Sequence, residues 1–179
     1  ERAAPVLTVQ HSLTDNIDLV FGTIYGTVNH RLIEPVFSFE KFLIDNYENG
    51  FQLLFDYENI KADVWLNWEQ FIMEGDPFQE KFTTGISASF SLFKSGNYEL
   101  EVPFQALFRH VGGQIDSSPL PAGTQSNFLQ GVRLKWINDN FFVNRLVLEQ
   151  SLAQFIEVNP GGHILIPDGY GSYSRLQMG

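Results

Sequence analysis

Cysteine is absent from the 179 residues. That removes disulfides, thiolate metal sites and thiol nucleophiles together. No run of eighteen apolar residues occurs, so no helix of this chain is expected to cross a membrane. Crossing by strands stays open, because a spanning strand needs only about 9–11 residues. Basic residues are scarce: eleven Lys plus Arg stand against twenty-one Asp plus Glu, a formal charge of −10. Such a balance repels phosphate backbones and argues against nucleic acid as a partner. Helical apolar stripes are missing too, apart from a weak case near Ser38–Asn46. No Asn-x-Ser/Thr acceptor and no signal-like segment is found, and the chain starts at Glu1 without Met. It is therefore expected to be a processed or excerpted chain.

What the chain has in excess is aromatic residues: seventeen Phe, six Tyr and three Trp beside two Met. Aromatics favour strands and membrane interfaces over helical bundles. The hydrophobic share of 44% is ordinary for a folded chain, and the length suits one domain spanning residues 1–179.

Alternation sets the fold class. Ile60, Ala62, Val64, Leu66 and Trp68 alternate with Lys61, Asp63, Trp65, Asn67 and Glu69. The same period of two runs through Phe82–Leu92 and Tyr98–Phe108, giving each strand one apolar and one polar face. Eight strands are expected, near Val6–Leu13, Ile17–Tyr25, Gly50–Tyr57, Ile60–Ile72, Lys81–Phe93, Tyr98–Arg109, Asn127–Ile137 and Phe141–Phe155. Short polar turns follow the odd-numbered strands: Thr14-Asp15-Asn16, Glu58-Asn59, Lys94-Ser95-Gly96-Asn97 and Asn138-Asp139-Asn140. Longer connections lie near 26–49, 73–80 and 111–126, and the tail from Asn159 reads as turn and loop. All short turns then fall at one end of an up-and-down meander and all long loops at the other. Outer-membrane barrels have this asymmetry, and their strands are as long as these. The expected fold is all-β: an antiparallel meander forming a transmembrane β-barrel or part of one, in a bacterial outer membrane. The tail does not close on an aromatic-ended strand, so the natural protein is expected to continue past Gly179.

The polar faces carry the candidate lumen or binding residues: Asp56, Lys61, Asp63, Glu69, Glu99, Glu101 and Arg109. If they line the inside, then Val64, Ile86, Phe90, Leu100, Val102 and Phe104 form one outward apolar band. The reversed facing would make a soluble barrel with an apolar pocket. Arg109, Arg133, Lys135 and Arg145 fit a selectivity lining or interior salt bridges equally well.

Motifs for catalysis are thin. His11, His30, His110 and His163 are scattered without metal-ligand spacing, so loop and rim positions are expected and no metal site. Glu69 and Glu74 lie near Trp65 and Trp68, with Asp56, Glu58 and Asp63 close by, and carboxylates beside Trp suit glycan hydrolysis. Gly112-Gly113 has no helix behind it, so it bends the chain and does not cradle phosphate. No Gly-x-Ser-x-Gly occurs, and Asp168-Gly169 lacks the spacing of a calcium loop.

Phe21-Gly22-Thr23-Ile24-Tyr25-Gly26, Asn29-His30-Arg31-Leu32-Ile33-Glu34-Pro35, Leu66-Asn67-Trp68-Glu69-Gln70-Phe71-Ile72, Glu74-Gly75-Asp76-Pro77-Phe78-Gln79-Glu80 and Gly112-Gly113-Gln114-Ile115-Asp116 resemble porin-like outer-membrane β-barrel proteins of the Bacteroides–Flavobacterium group. The similarity runs over roughly Thr8–Ile115. It implies fold and location, and it carries over no catalytic residue. Those barrels are larger, which again implies a fragment.

Two functions follow. In the first, the chain is not an enzyme: a porin-like or structural barrel, without cofactor, whose partners are outer-membrane lipid, small polar solutes or other outer-membrane proteins. In the second it is a soluble β-sandwich or barrel that binds carbohydrate or lipid, with a glycoside hydrolase using Glu69 as its enzymatic form.

Overall fold

A computed structural model describes residues 6–37, 40, 47–113, 115–140, 142–159 and 168–179. They form nine strands in one antiparallel sheet, each strand paired with the next in sequence. The strands are β1 (Thr8–Thr14), β2 (Ile17–Thr23), β3 (Asn49–Asp56), β4 (Ile60–Gln70), β5 (Lys81–Ser95), β6 (Tyr98–Val111), β7 (Gly123–Ile137), β8 (Arg145–Val158) and β9 (Asp168–Met178). The expected meander is therefore present with one strand more. β9 lies in the tail read as loop. Its sequence, Asp-Gly-Tyr-Gly-Ser-Tyr-Ser, has small polar residues where an apolar row would advertise a strand. It forms because β8 offers a complete edge, from the pair Ile156–Asp168 to the pair Leu146–Met178. β7 also begins earlier than expected, at Gly123, and β8 later, at Arg145. The weak helical signal near Ser38–Asn46 falls almost wholly outside the described residues, as does His163.

The facing is decided by which side of the sheet is covered. Segment 24–37, expected as the end of the second strand to Tyr25 and as loop from Gly26, turns back across the polar face. It includes a short 3-10 helix, Thr27–His30. Its Ile24, Leu32, Val36 and Phe37 cluster with Val20 of β2, Trp65 of β4 and Leu129 of β7, and all of these are buried. We call the covered side the inner face. Three polar side chains on it receive the segment's backbone: Gln52 accepts from the Tyr25 N–H (3.0 Å) and donates to the Tyr25 carbonyl (3.2 Å), and Gln105 accepts from the Ile33 N–H (3.0 Å) and donates to the Arg31 carbonyl (2.9 Å). Asn127 donates to the Val36 carbonyl at 3.2 Å. Each of these bonds satisfies an irregular backbone group that would otherwise be stranded away from water.

The opposite face carries the large apolar side chains, and they are left uncovered. Phe90, Leu92, Val132, Leu134, Leu148, Leu152 and Leu176 are all exposed. Val64, Ile86, Leu100, Val102 and Phe104 share that face with Phe90, as expected from the alternation. Polar in, apolar out is the inverse of a water-soluble sheet and the rule for a lipid-facing one. This facing is the opposite of the one expected for a soluble barrel with an apolar pocket.

Candidate functional site

The inner face holds two polar clusters. Near the long-loop end, the His30 imidazole lies on the Trp65 indole with centroids 3.6 Å apart. Its Nδ1 is 2.7 Å from Asp63 Oδ2 and its Nε2 3.2 Å from Glu48 Oε2. Gln52 donates to the other Asp63 oxygen at 2.9 Å, and the Thr27 N–H donates to the other Glu48 oxygen at 2.9 Å. His30 is only 2% exposed. Burial alone would lower its pKa, but the carboxylates on both sides outweigh burial and raise it above the ordinary histidine value. Gly85 on β5 makes room for this stack: a Cβ there would lie 2.4 Å from Trp65 Cζ2. Among the described residues the imidazole bonds only the two carboxylates and is closed off from solvent, so the cluster latches segment 24–37 onto the wall.

The second cluster lies toward the short turns. Arg133 Nε binds Glu149 at 2.9 Å and its NH1 binds Glu101 at 3.1 Å. Lys135 bridges Glu101 and Glu99, and Arg175 of β9 reaches Glu149 at 2.9 Å. Three carboxylates meet three cations here, so the charges close among themselves. Between the two readings of the basic residues, interior salt-bridge packing fits Arg133 and Lys135.

The sequence-derived candidates are thus all on the inner face but do not converge on one spot. Asp63 belongs to the His30 latch, and Glu99 and Glu101 to the ion network. Asp56 and Lys61 pair with each other at the β3–β4 turn, both exposed. Glu69 sits at a bulge of β4 and accepts from the Thr83 hydroxyl at 2.6 Å. Arg109 is exposed near the long-loop end, opposite Thr83 and Gln125. Trp65 faces inward under His30, while Trp68 is exposed and packs near Phe71 at 5.8 Å.

A third constellation lies on the outer face. There the row Trp68, Phe82, His110, Thr124 and Val158 crosses β4 to β8 in register. His110 Nδ1 is 2.8 Å from Thr124 Oγ1. The Phe82 ring lies 5.0 Å from the imidazole, and Phe108 and Phe128, in the next two rows below, meet edge-on at 5.3 Å. Both His110 and Thr124 are half-buried. An imidazole in hydrogen-bond contact with a hydroxyl is the minimal nucleophile–base pair. The sequence reading missed it, since His110 counted as a rim histidine and Thr124 fell in the 111–126 connection. The available signal was the row Thr124, Ser126, Phe128, which continues the β7 alternation back to the point opposite His110.

A family model described as lipid A 3'-O-deacylase-type matches residues 1–179. No curated protein and no solved structure matches the chain. The match names a hydrolytic activity, and it overturns the expectation of a chain that is not an enzyme. It gives no support to a glycoside hydrolase acting through Glu69.

Proposed function

We propose, for a chain that belongs to the lipid A 3'-O-deacylase-type family, an outer-membrane ester hydrolase that removes an acyl chain from a lipid, with His110 and Thr124 as its catalytic pair. The observation that carries this reading is the position of that pair. It lies on the lipid-facing side, in a row of aromatic residues at the long-loop end of the strands. A second aromatic row, Tyr98 and Trp136, lies at the short-turn end. From Thr124 to Trp136 along β7 is ~40 Å at about 3.3 Å per residue. At a strand tilt of about 40° this corresponds to roughly 30 Å across the sheet, near the thickness of a bilayer core. The two rows then match the two aromatic girdles of a membrane barrel. With the long loops outward, His110 and Thr124 sit at the outer headgroup boundary, at the depth of a glycolipid's ester bonds.

The chemistry follows from the pair. With the imidazole protonated on Nε2, Nδ1 takes the Thr124 proton as Oγ1 attacks the ester carbonyl. The tetrahedral adduct collapses, and the departing sugar oxygen takes that proton from His110, leaving the acyl group on Thr124. Water, deprotonated by His110, then attacks the acyl-threonine. A free carboxylic acid leaves and the Thr124 hydroxyl is restored. Phe82, Phe108 and Phe128 offer apolar contacts for the acyl chain beside the reacting bond.

Among the described residues the inner face is occupied, which favours the hydrolase reading over a conduit. Segment 24–37 covers it near one end, and the Glu99, Glu101, Arg133, Lys135, Glu149 and Arg175 network fills it toward the other. Asp63, Glu99 and Glu101 are in this reading wall and latch residues, and Arg109 is left as the exposed cation of the inner rim. The test is fatty-acid release from lipid A by the purified chain in mixed micelles, read by mass spectrometry. His110→Gln and Thr124→Val should each lower the rate by about 10²–10⁴-fold, the usual range for losing a positioned acid–base group. Equal release by both variants and the unaltered chain would remove the pair from the reaction.

A further inference from the structure

Thr124 stands close to the end of its strand. The β7–β8 ladder stops at the pair Thr124–Val158, and the β6–β7 ladder one pair later, at Val111–Gly123. Strand ends open more readily than strand centres. Threonine is also stiff at χ1, so the place of its hydroxyl follows its backbone. The 2.8 Å contact of Thr124 Oγ1 with His110 Nδ1 therefore depends on what holds residues 120–123.

That hold comes from a different connection. Gln79, two residues before β5, is buried. Its carboxamide nitrogen donates to the Leu120 carbonyl at 2.9 Å and to the Pro121 carbonyl at 3.2 Å, which uses both of its hydrogens. Gly112, two residues after His110, closes the joint. It takes a φ of +118°, and a Cβ there would lie 2.5 Å from Ala122 Cβ and 3.4 Å from Gln79 Nε2. The Gly112 N–H donates to the carbonyl of Glu80, the neighbour of Gln79 in the chain, at 2.9 Å. Gln79 thus ties the lead into β7 to the β5–β6 ladder that carries His110. Both members of the pair are referred to one rigid body.

We propose that Gln79 is a positioning residue for ester hydrolysis, setting the Thr124 hydroxyl against the His110 imidazole. The inference rests on the hydrolase reading above. Misplacing a reacting group by about 1 Å can cost on the order of 10²-fold in rate. The same two connections are also joined farther from the pair. There the Ser117 N–H donates to the Asp76 carbonyl at 2.8 Å, and the Ser117 hydroxyl lies 3.1 Å from the carbonyls of Gly75 and Asp76. Ser117 supplies the control, because losing its hydroxyl weakens the joint without touching residues 120–124.

The test uses the full chain in mixed micelles, with fatty-acid release from lipid A and NMR of the histidine ring nitrogens read on the same samples. His110→Gln assigns the His110 resonances, and Thr124→Val marks where they lie without a hydroxyl partner. Gln79→Met keeps the length of the side chain and removes the donor. Gln79→Glu, which also lacks the donor when ionised, gives the same readouts if the methionine variant does not fold. The expected result is a fall in kcat of about 10–100-fold at unchanged KM, with the His110 nitrogens moved toward their Thr124→Val positions. Ser117→Ala should leave both readouts as they are. Unaltered kcat and ring-nitrogen shifts in the Gln79 variants, with Thr124→Val inactive, overturn the proposal and leave the pair in place. A raised KM at unchanged kcat overturns it in favour of substrate binding, and equal losses in Ser117→Ala overturn it in favour of general packing of the two connections. Full release by Thr124→Val removes the hydrolase reading itself, and with it this role of Gln79.

Discussion

The His30 imidazole lies flat on the Trp65 indole, 3.6 Å between centroids with planes inclined by 10°. It is held there edgewise by Asp63 and Glu48. One residue of a connection is thereby stacked on the wall and charge-paired to two separate points of it. Removing the imidazole by His30→Ala strands two buried carboxylates, a loss that typically costs ~3–5 kcal/mol. Amide exchange of segment 24–37 should accelerate by orders of magnitude while the strand amides of β5 to β8 keep their protection. Unchanged exchange in the segment would show that its apolar contacts hold it without the latch.

The same latch should respond to pH. His30 has a pKa raised above 6.5 in the folded chain. Such a group contributes stability that is fully present below the unfolded value and is lost as pH rises through the folded one. Segment 24–37 should therefore be most protected in mildly acidic solution and should open progressively on the alkaline side of 6.5. Protease cleavage within 24–37, followed across pH, checks the sign. His30→Ala should flatten the profile, and faster cleavage in acid would contradict the assignment.

Gly85 admits no side chain. A Cβ there would meet the Trp65 ring at 2.4 and 2.6 Å. Gly85→Val must push the indole off His30, at the ~1–3 kcal/mol usual for overpacking. Thermal unfolding in detergent should shift down, and the change should be smaller in a Trp65→Phe background. Equal shifts in both backgrounds would place the strain elsewhere.

Glu149 is 1% exposed and is shared by Arg133 and Arg175, which joins β7 to the terminal strand β9. Glu149→Gln leaves the Arg175 guanidinium without its carboxylate and Arg133 with Glu101 alone. The expected loss is about 3–5 kcal/mol, the range for breaking a buried pair, and β9 should be the first strand to lose amide protection. Uniform loss across all strands would argue against a local clamp.

Planar-bilayer recording separates a covered interior from an open one. The intact chain should show no steady single-channel steps. The variant lacking residues 27–37 should show them if that segment is what obstructs the inner face. Ohmic channels from the intact chain would favour the porin-like reading over the hydrolase.

Much of the fold could be read in advance from local rules. Ile60–Trp68 and the strands after it alternate strictly because successive side chains of a strand point to opposite faces. The turns at Asn16, Asn59 and Gly96 declare hairpins through residues that tolerate tight backbone geometry. β9 was illegible for the converse reason. Its inner row is Gly169, Gly171, Tyr173, Arg175 and Gln177, and its outer row includes Ser172 and Ser174, so neither row is an apolar stripe. The candidate site was half legible. His110 was visible as a residue, but its pairing with Thr124 depends on the β6–β7 register, which joins positions separated by a connection of unremarkable sequence.

The amino-acid sequence by itself determined the first eight strands, the hairpin rhythm and the two unlike faces of the strands that alternate, because these depend on neighbours one or two residues apart. It could not determine which face is inside. Alternation is symmetric under exchange of the two sides, and only the return of segment 24–37 across the polar side broke that symmetry. Nor could it bring His30 to Asp63 or His110 to Thr124. Those contacts arise from long-range packing and strand register, which exist only once the sheet has formed.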